Sequence, residues 1–500
     1  MSGGGAGASK RKNDVQISNW ILMPILIAVI CQWTSSSCFY QFPQLFEDYL
    51  IGKFNITTVE VSFLYSIGSV PNLFVNIFAA LLVRATGIGY SALIFQTLIF
   101  TGVVLTSWGV YIESFDMMIV GRIIFGMGYD TTLLGQSIAT NKWFSGRFLT
   151  ITFSLNKFTS YLFSSSSVYI MPIFYKMTRG VQLPLLGYGF IAFFVFMLTL
   201  MFFFVDYLNE YKLGLEDEDD ETNADGEKFV FNVSDLRFVS GLSWMIMSLI
   251  AIYPQCYLQF MNIGTDLVVK RFGDPYLAAK NVIASVPMIS MVSLLVMGWW
   301  FGKYGKKGLG LLITGLLFIL GYFSMSLLPD DARNESFIGT FFISMGLSMY
   351  CVCSWSSLML SVPAEAAELM IAFGATFQNL LLATLPVFFG VVDTSRTPGA
   401  YENSLYMLMG LSSIGATIGG CIVWADCTAF KVIHMPENDP KVKDAKKGVR
   451  RVFFQKLRKA KGQAVPAEDE DEVPQDQDSS MTLDDSFDRR DIRESEEVDL

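Results

Sequence analysis

Twelve apolar stretches, each about as long as a bilayer is thick, recur along this chain and leave little choice of architecture. They fall at residues 20–40, 59–83, 90–110, 115–140, 148–172, 184–206, 238–262, 276–300, 308–328, 337–361, 369–392 and 403–425. A hydrocarbon core about 30 Å thick is crossed by roughly 20 residues of helix. Backbone inside that core has to satisfy its own N–H and C=O groups, which a helix does and an open strand does not. Apolar residues occupy both parities of each run, so the alternation of a transmembrane β-barrel is missing. The chain reads as an all-α polytopic membrane protein. Composition agrees: 52% of residues are hydrophobic and 16% charged, with a mean hydropathy of +0.43.

Charge and cysteine usage exclude several functions. The net charge of -10 is a tail effect, because residues 466–500 carry fifteen acids and three arginines while the remainder is close to neutral at +2. Nothing in that balance suits nucleic acid. Of seven cysteines, Cys351 and Cys353 lie in an apolar run without companion ligands, which reads as buried thiols rather than a metal site. The single histidine, His434, follows the last span. No histidine-based centre, nucleophile elbow or phosphate-binding glycine loop is present in context, so an enzyme is disfavoured, and no cofactor or metal is expected. The run beginning at Trp20 is too long and too late for a cleavable signal, and reads as a first span that doubles as a signal anchor.

The spans divide six and six. The expected organisation is an N-tail (1–19), a six-helix bundle (20–206), an acidic linker (207–237), a second six-helix bundle (238–425), a basic juxtamembrane segment (426–465) and an acidic tail (466–500). The linker contains the unbroken acidic run Glu216 to Glu221, which repels itself and stays solvated. Twelve spans put both termini on one side. Twelve Lys or Arg on that side, against eight on the other, make it cytosolic once the basic cluster after the last span is added. The sequons at Asn55 and Asn334 then fall in exoplasmic loops, where glycans are attached, and that at Asn232 does not. Residues 441–461 hold ten bases, with Val449, Val452, Phe453 and Leu457 along one helical stripe, the pattern of an amphipathic helix against anionic lipid.

Two loops in matching positions carry related patterns. The first reads from Ala80 through Arg84 to Gly89; the second runs from Gly298 through Lys303, Gly305 and Lys306 to Lys307. Each joins a span end to a base and a tight glycine turn, and repeated halves are a common plan among transporters. The fourth span contains Gly121, Arg122, Gly126 and Gly128. These motifs resemble the cytosolic loop signature and the fourth-span Arg and Gly pattern of the major facilitator superfamily, over about 405 residues from Trp20 to Ala425. The first loop departs from the signature by Val83 in its acidic position, and the second by Gly302. Within the superfamily, the run from Phe125 to Arg147 and the run Ala372 to Asn379 resemble the lysosomal dipeptide transporter group and its unicellular relatives. That resemblance implies a major facilitator fold of two six-helix bundles, peptide or amino-acid cargo, a lysosomal or other endomembrane address, and an accessory membrane glycoprotein as partner. A plasma-membrane carrier and an equilibrative amino-acid carrier stay open.

Asp130 and Lys157 stand within the fourth and fifth spans. A charge facing lipid costs several kcal/mol, so both should point into the bundle. Two readings are open: a structural ion pair, or an acid and a base that receive the amine and carboxylate of a zwitterionic solute. The dipeptide group carries an acid after the fourth-span glycines, which favours Asp130; its fifth-span base would align near Tyr161, one turn beyond Lys157. Gln32 in the first span and Tyr253 and Gln255 in the seventh are further candidates to line a cavity, and Pro254 between them frees a helix carbonyl. Gln378 and Asn379 are read either as cavity groups or as packing amides. Arg122 is read mainly as a structural tie between spans four and one. The expected function is a secondary transporter of small zwitterionic solutes working by alternating access, with a non-transporting solute sensor of the same fold as the alternative.

Overall fold

The computed structural model describes residues 19–57, 60, 61, 63, 64, 67–144, 148–213, 233–272, 276–329, 336–393, 400–428, 431–437, 439 and 441–461. Asn334, the acidic linker run and the acidic tail lie outside them. The first span is broken into α1 (Asn19–Cys31) and α2 (Thr34–Tyr40), and short helices α3 (Phe42–Leu45) and α4 (Glu47–Phe54) follow. The spans continue as α5 (Asn72–Thr86), α6 (Ile88–Tyr111), α7 (Phe115–Phe144), α8 (Leu149–Thr178) and α9 (Gln182–Leu213). The second half comprises α10 (Gly241–Phe272), α11 (Tyr276–Tyr304), α12 (Lys307–Leu327), α13 (Ser336–Ser361), α14 (Ala364–Asp393) and α15 (Ala400–Thr428), with α16 (Lys441–Lys461) after the last span. Residues 1–453 form one compact unit and 454–500 a second, of which only the last turns of α16 are described.

Eleven spans are long and apolar enough to cross a membrane by composition alone. The twelfth, α8, has the length, at 30 residues, but carries Ser154, Asn156, Lys157, Thr159, Ser160 and the serine run Ser164 to Ser167. Phe74, Phe190 and Val292 are each more than 60% exposed, the inverse of a water-soluble surface and what lipid contact requires. In the first half α6 packs on α7 and α9, while α1 and α2 pack on α8 and α9; in the second, α12 packs on α13 and α15, and α10 on α14 and α15. The halves meet where α5 and α7 touch α14 and where α8 touches α11 and α13.

Local chemistry explains the irregular places. The hydroxyls of Thr34, Ser36 and Ser37 donate back to carbonyls of Cys31, Trp33 and Thr34, a competition that bends helices. The loosened turn is repaired from α7, where Gln136 Nε2 donates to the Val29 carbonyl at 2.8 Å. In α10, Pro254 has no N–H for the carbonyl of Ile250, and the Tyr350 hydroxyl of α13 donates there instead at 3.3 Å. Gly126 has no room for a side chain, because a Cβ would collide with the Gly68 carbonyl oxygen. Gly128 also meets α6 closely, its Cβ position lying 2.7 Å from Ile99.

Candidate functional site

The break in α1–α2 places Trp33 in the interior, and the inner faces of α7 and α8 meet it there. The Lys157 ammonium of α8 lies over the Trp33 ring, 4.0 Å from its centroid. Tyr129 of α7 packs against the other partners of this group, 5.3 Å from Trp33 and stacked on Tyr40 at 4.8 Å. Tyr161, one turn along α8 from Lys157, points its hydroxyl to the Cys351 thiol of α13 at 3.8 Å. Tyr257 of α10 lies near both Tyr129 and Tyr161. Residues of both halves therefore form one aromatic chamber around a cation.

Asp130 lies beside this group with a different kind of partner. Its carboxylate accepts the Asn379 amide of α14 at 2.5 Å, and Asn72 and Asn76 of α5 stand nearby, with the Asn76 amide donating to the Asn72 carbonyl at 3.0 Å. No ion pair joins Asp130 to Lys157, so the structural salt bridge that the sequence left open is not formed. The physical reason is visible: the Asn379 amide already serves the acid, and an indole face holds the base. An amide can neutralise a carboxylate's hydrogen-bonding need without cancelling its charge, and a ring does the same for an ammonium. Acid and base are thus both solvated by neutral groups.

The remaining candidates separate. Gln32 is buried at the break, and its Nε2 has no protein partner among the described residues, as is true of the neighbouring Trp33 Nε1. Gln255 donates to the Gln378 carbonyl at 3.1 Å and accepts from Gln259, a polar seam between α10 and α14. Tyr253 turns away from the chamber. Its hydroxyl donates to the Leu311 carbonyl at 2.7 Å and its ring packs near Phe318 and Tyr350. Asn379, read in the sequence as either cavity or packing, bonds directly to the acid. Trp33, Asn72, Asn76 and Cys351 were missed, since each looks like ordinary span filling until the fold brings it to a charge.

Arg122 is fully buried and donates to three backbone carbonyls: Leu64 at 3.3 Å, Phe39 at 3.3 Å and Tyr40 at 3.0 Å. Its guanidinium also stacks over Phe39 and Phe125. It ties α7 to the last turn of α2, whose Phe39 carbonyl also accepts the Gln41 N–H.

The matched loops sit at the end of the bundle where the chain leaves α15, termed here the tail-side end. Arg84 of α5 couples electrostatically to Glu368 near the start of α14. Lys303 is exposed, its ammonium over the rings of Trp299 and Tyr304. Gly305 and Lys306 both adopt positive φ, +68° and +58°. A Cβ on Gly305 would lie 2.5 Å from the backbone of His434 and Met435, so only glycine fits. Gly298 meets Ser154 of α8 with similar closeness, 2.2 Å from Cβ position to Oγ. Asn55 is exposed at the opposite end, in the left-handed conformation that ends α4.

Comparison with known proteins names this architecture. The sequence profile described as Major Facilitator Superfamily matches residues 17–386. Lysosomal dipeptide transporter MFSD1 of Danio rerio is 22% identical over 401 residues, covering 78% of this chain and 85% of that protein. The Homo sapiens protein of the same name is 22% identical over 387 residues, covering 75% and 80%. Among solved structures, the proton:xylose symporter XylE bound to 6-bromo-6-deoxy-D-glucose superposes with a TM-score of 0.62 at 13% identity, over 81% of this chain and 94% of that one. A bacterial homologue of the iron transporter ferroportin in its outward-facing state gives 0.63 at 10% identity, over 81% and 99%. These likenesses establish the fold, two bundles of six spans, and the superfamily's work is moving solutes through membranes rather than transforming them. With the profile running through ten spans and into the eleventh, this chain belongs to the Major Facilitator Superfamily.

Proposed function

We propose that this chain carries small zwitterionic solutes, dipeptides or amino acids, by alternating access, with Lys157 receiving the carboxylate and Asp130 the amine. The observation that carries the reading is Lys157 itself: a base inside the bundle, seated on Trp33, with no carboxylate bonded to it among the described residues. Removing an ion from water costs several kcal/mol, and a ring contact returns only about 2 kcal/mol. A solute carboxylate supplies the remainder, with the unpartnered Trp33 Nε1 as a second donor. Asp130 is the complementary group, and its amide partner Asn379 comes from the other half, so solute at this point senses their relative position. The MFSD1 relatives, named for dipeptide transport in lysosomes, support the cargo class and that address. Charge distribution supports cytosolic tails and the six-plus-six division with an acidic linker.

Countertransport in proteoliposomes tests the assignment. Asp130→Asn and Lys157→Gln should each raise the half-saturation for dipeptides or amino acids, by about tenfold or more for a lost charge-assisted contact. Analogues lacking only the amine should lose their disadvantage in Asp130→Asn, and those lacking only the carboxylate in Lys157→Gln. Unchanged discrimination in both variants sinks the assignment. Saturable binding without flux would identify a solute sensor instead.

A further inference from the structure

The loop pattern of the second half lacks its acid, with Gly302 in that position, yet a carboxylate stands beside Gly302. It comes from Glu437, nine residues beyond the last residue of α15. A Cβ built on Gly302 would be 3.9 Å from Glu437 Oε2 and 3.9 Å from Thr150 Cβ, so the side chain that glycine omits leaves the space that Glu437 uses. The Glu437 carboxylate is buried, with side-chain exposure of 1%, and pairs with Lys307 Nζ of α12 at 2.8 Å, itself at 0%. The same carboxylate accepts the Thr150 N–H at 3.0 Å and is bonded by the Thr150 hydroxyl. Thr150 belongs to α8 in the first half and Lys307 to α12 in the second.

Backbone bonds fix the segment that delivers Glu437. Lys306 N donates to the His434 carbonyl at 3.0 Å, Lys307 N to Ile433 at 3.2 Å, and Glu437 N to Gly302 at 3.4 Å. The positive φ of Gly305 and Lys306 turns those N–H groups toward the segment. Asp426 at the end of α15 accepts the Ile433 N–H at 3.2 Å, closing the loop from below. Farther on, Arg450 Nε of α16 meets Glu365 of α14 at 2.6 Å. The second half therefore presents a rigid arm whose tip is an acid seated on the first turn of a helix in the other half. An acid at a helix N-terminus gains from the unpaired N–H groups there. When α8 and α11 separate at this end, that gain is lost and a buried Lys307–Glu437 pair meets water.

We propose that residues 431–437 form a latch that holds the tail-side end closed, with Glu437 as the element that engages the first half. The latch rests on the exchange between two halves proposed above, but not on the identity of the solute. Its closed state is the one seen here, with Gly298 against Ser154 and Glu437 against Thr150. Weakening it should populate the state open at the tail side.

Hydrogen–deuterium exchange on the full-length protein in nanodiscs tests this. Glu437→Gln should raise exchange in peptides covering 148–156 and 296–304 by about tenfold or more, the range of ordinary coupling between sites. Thr150→Val, which removes only the hydroxyl, should do the same to a smaller degree while leaving the Lys307 contact intact. A rise confined to 305–310 and 431–437, with 148–156 unchanged, would show that Glu437 serves only the second half and would overturn the latch. A uniform rise along the chain would assign it to folding and overturn it equally. If 148–156 opens while 163–178 and 276–290 at the opposite end gain no protection, the latch stands and the rocking of two halves proposed above fails.

Discussion

Replacing Arg122 with leucine is the most exacting test of how the first half is held together. The side chain serves carbonyls of Leu64, Phe39 and Tyr40 from a fully buried position. Hydrogen bonds from a charged donor contribute about 1.5–3 kcal/mol each, so three represent a gross loss of about 5–9 kcal/mol. Removing the ion also returns its desolvation cost of several kcal/mol, and breaking a buried charged contact usually nets about 3–5 kcal/mol. For the compact unit of residues 1–453 that corresponds to a fall in Tm of about 3–5 °C, read by tryptophan fluorescence of the detergent-solubilised protein. A fall below about 2 °C would refute this account of Arg122.

Four further outcomes are expected. Gly126→Ala drives a methyl into the Gly68 carbonyl and should cost about 1–3 kcal/mol, whereas Gly52→Ala, with nothing within 4 Å, should melt as wild type; equal melting of the two would contradict the close approach. Asp206→Asn removes the ion pair to Lys142 at 2.9 Å and weakens the Trp143 Nε1 bond at 3.0 Å, for a loss of about 1–3 kcal/mol visible in denaturant titration. Lys306→Gly relieves a φ of +58° and should raise Tm, corresponding to about 0.5–1 kcal/mol; a lower Tm would show that its side chain outweighs the strain. Asn55→Gln combined with Asn334→Gln should abolish a glycosidase-sensitive gel shift, and persistence of that shift would move the glycan elsewhere or reverse the orientation.

Much of the scaffold was legible because hydrocarbon thickness is a one-dimensional constraint. The first span was read at 20–40 and is found as α1 and α2, ending at Tyr40. Its break was not legible, because the hydroxyl-to-carbonyl bonds after Trp33 have the same composition as any polar patch. The basic stripe after the last span does form a helix, Lys441–Lys461, with Val449 and Phe453 buried. The charges of the chamber were found by the cost of placing ions in lipid, but their partners were not. Trp33 reaches Lys157, and Thr150 reaches Glu437 across 287 residues, through folding that no local period encodes. In the second loop the three lysines looked alike. The left-handed turn at Gly305 and Lys306 resets the helical phase, leaving Lys303 exposed and Lys307 sealed against Glu437.

The polar character of α8 reaches back to how the protein is made. A lysine at the centre of a helix costs about 2.5–3.5 kcal/mol at the translocon, and Asn156 with the serine run adds to it. Alone among the spans, α8 lacks the apolar window to enter lipid unaided, while α9, joined to it by residues 179–181, is the most apolar of them all. The expected order is that α8 is committed only once α9 is complete, the pair entering as a hairpin. The residue that gives the chamber its positive charge is carried into the bilayer by its neighbour. Substitutions on the lipid-facing side of α9 can thus silence Lys157 without ever touching it, by stranding it outside the membrane during synthesis.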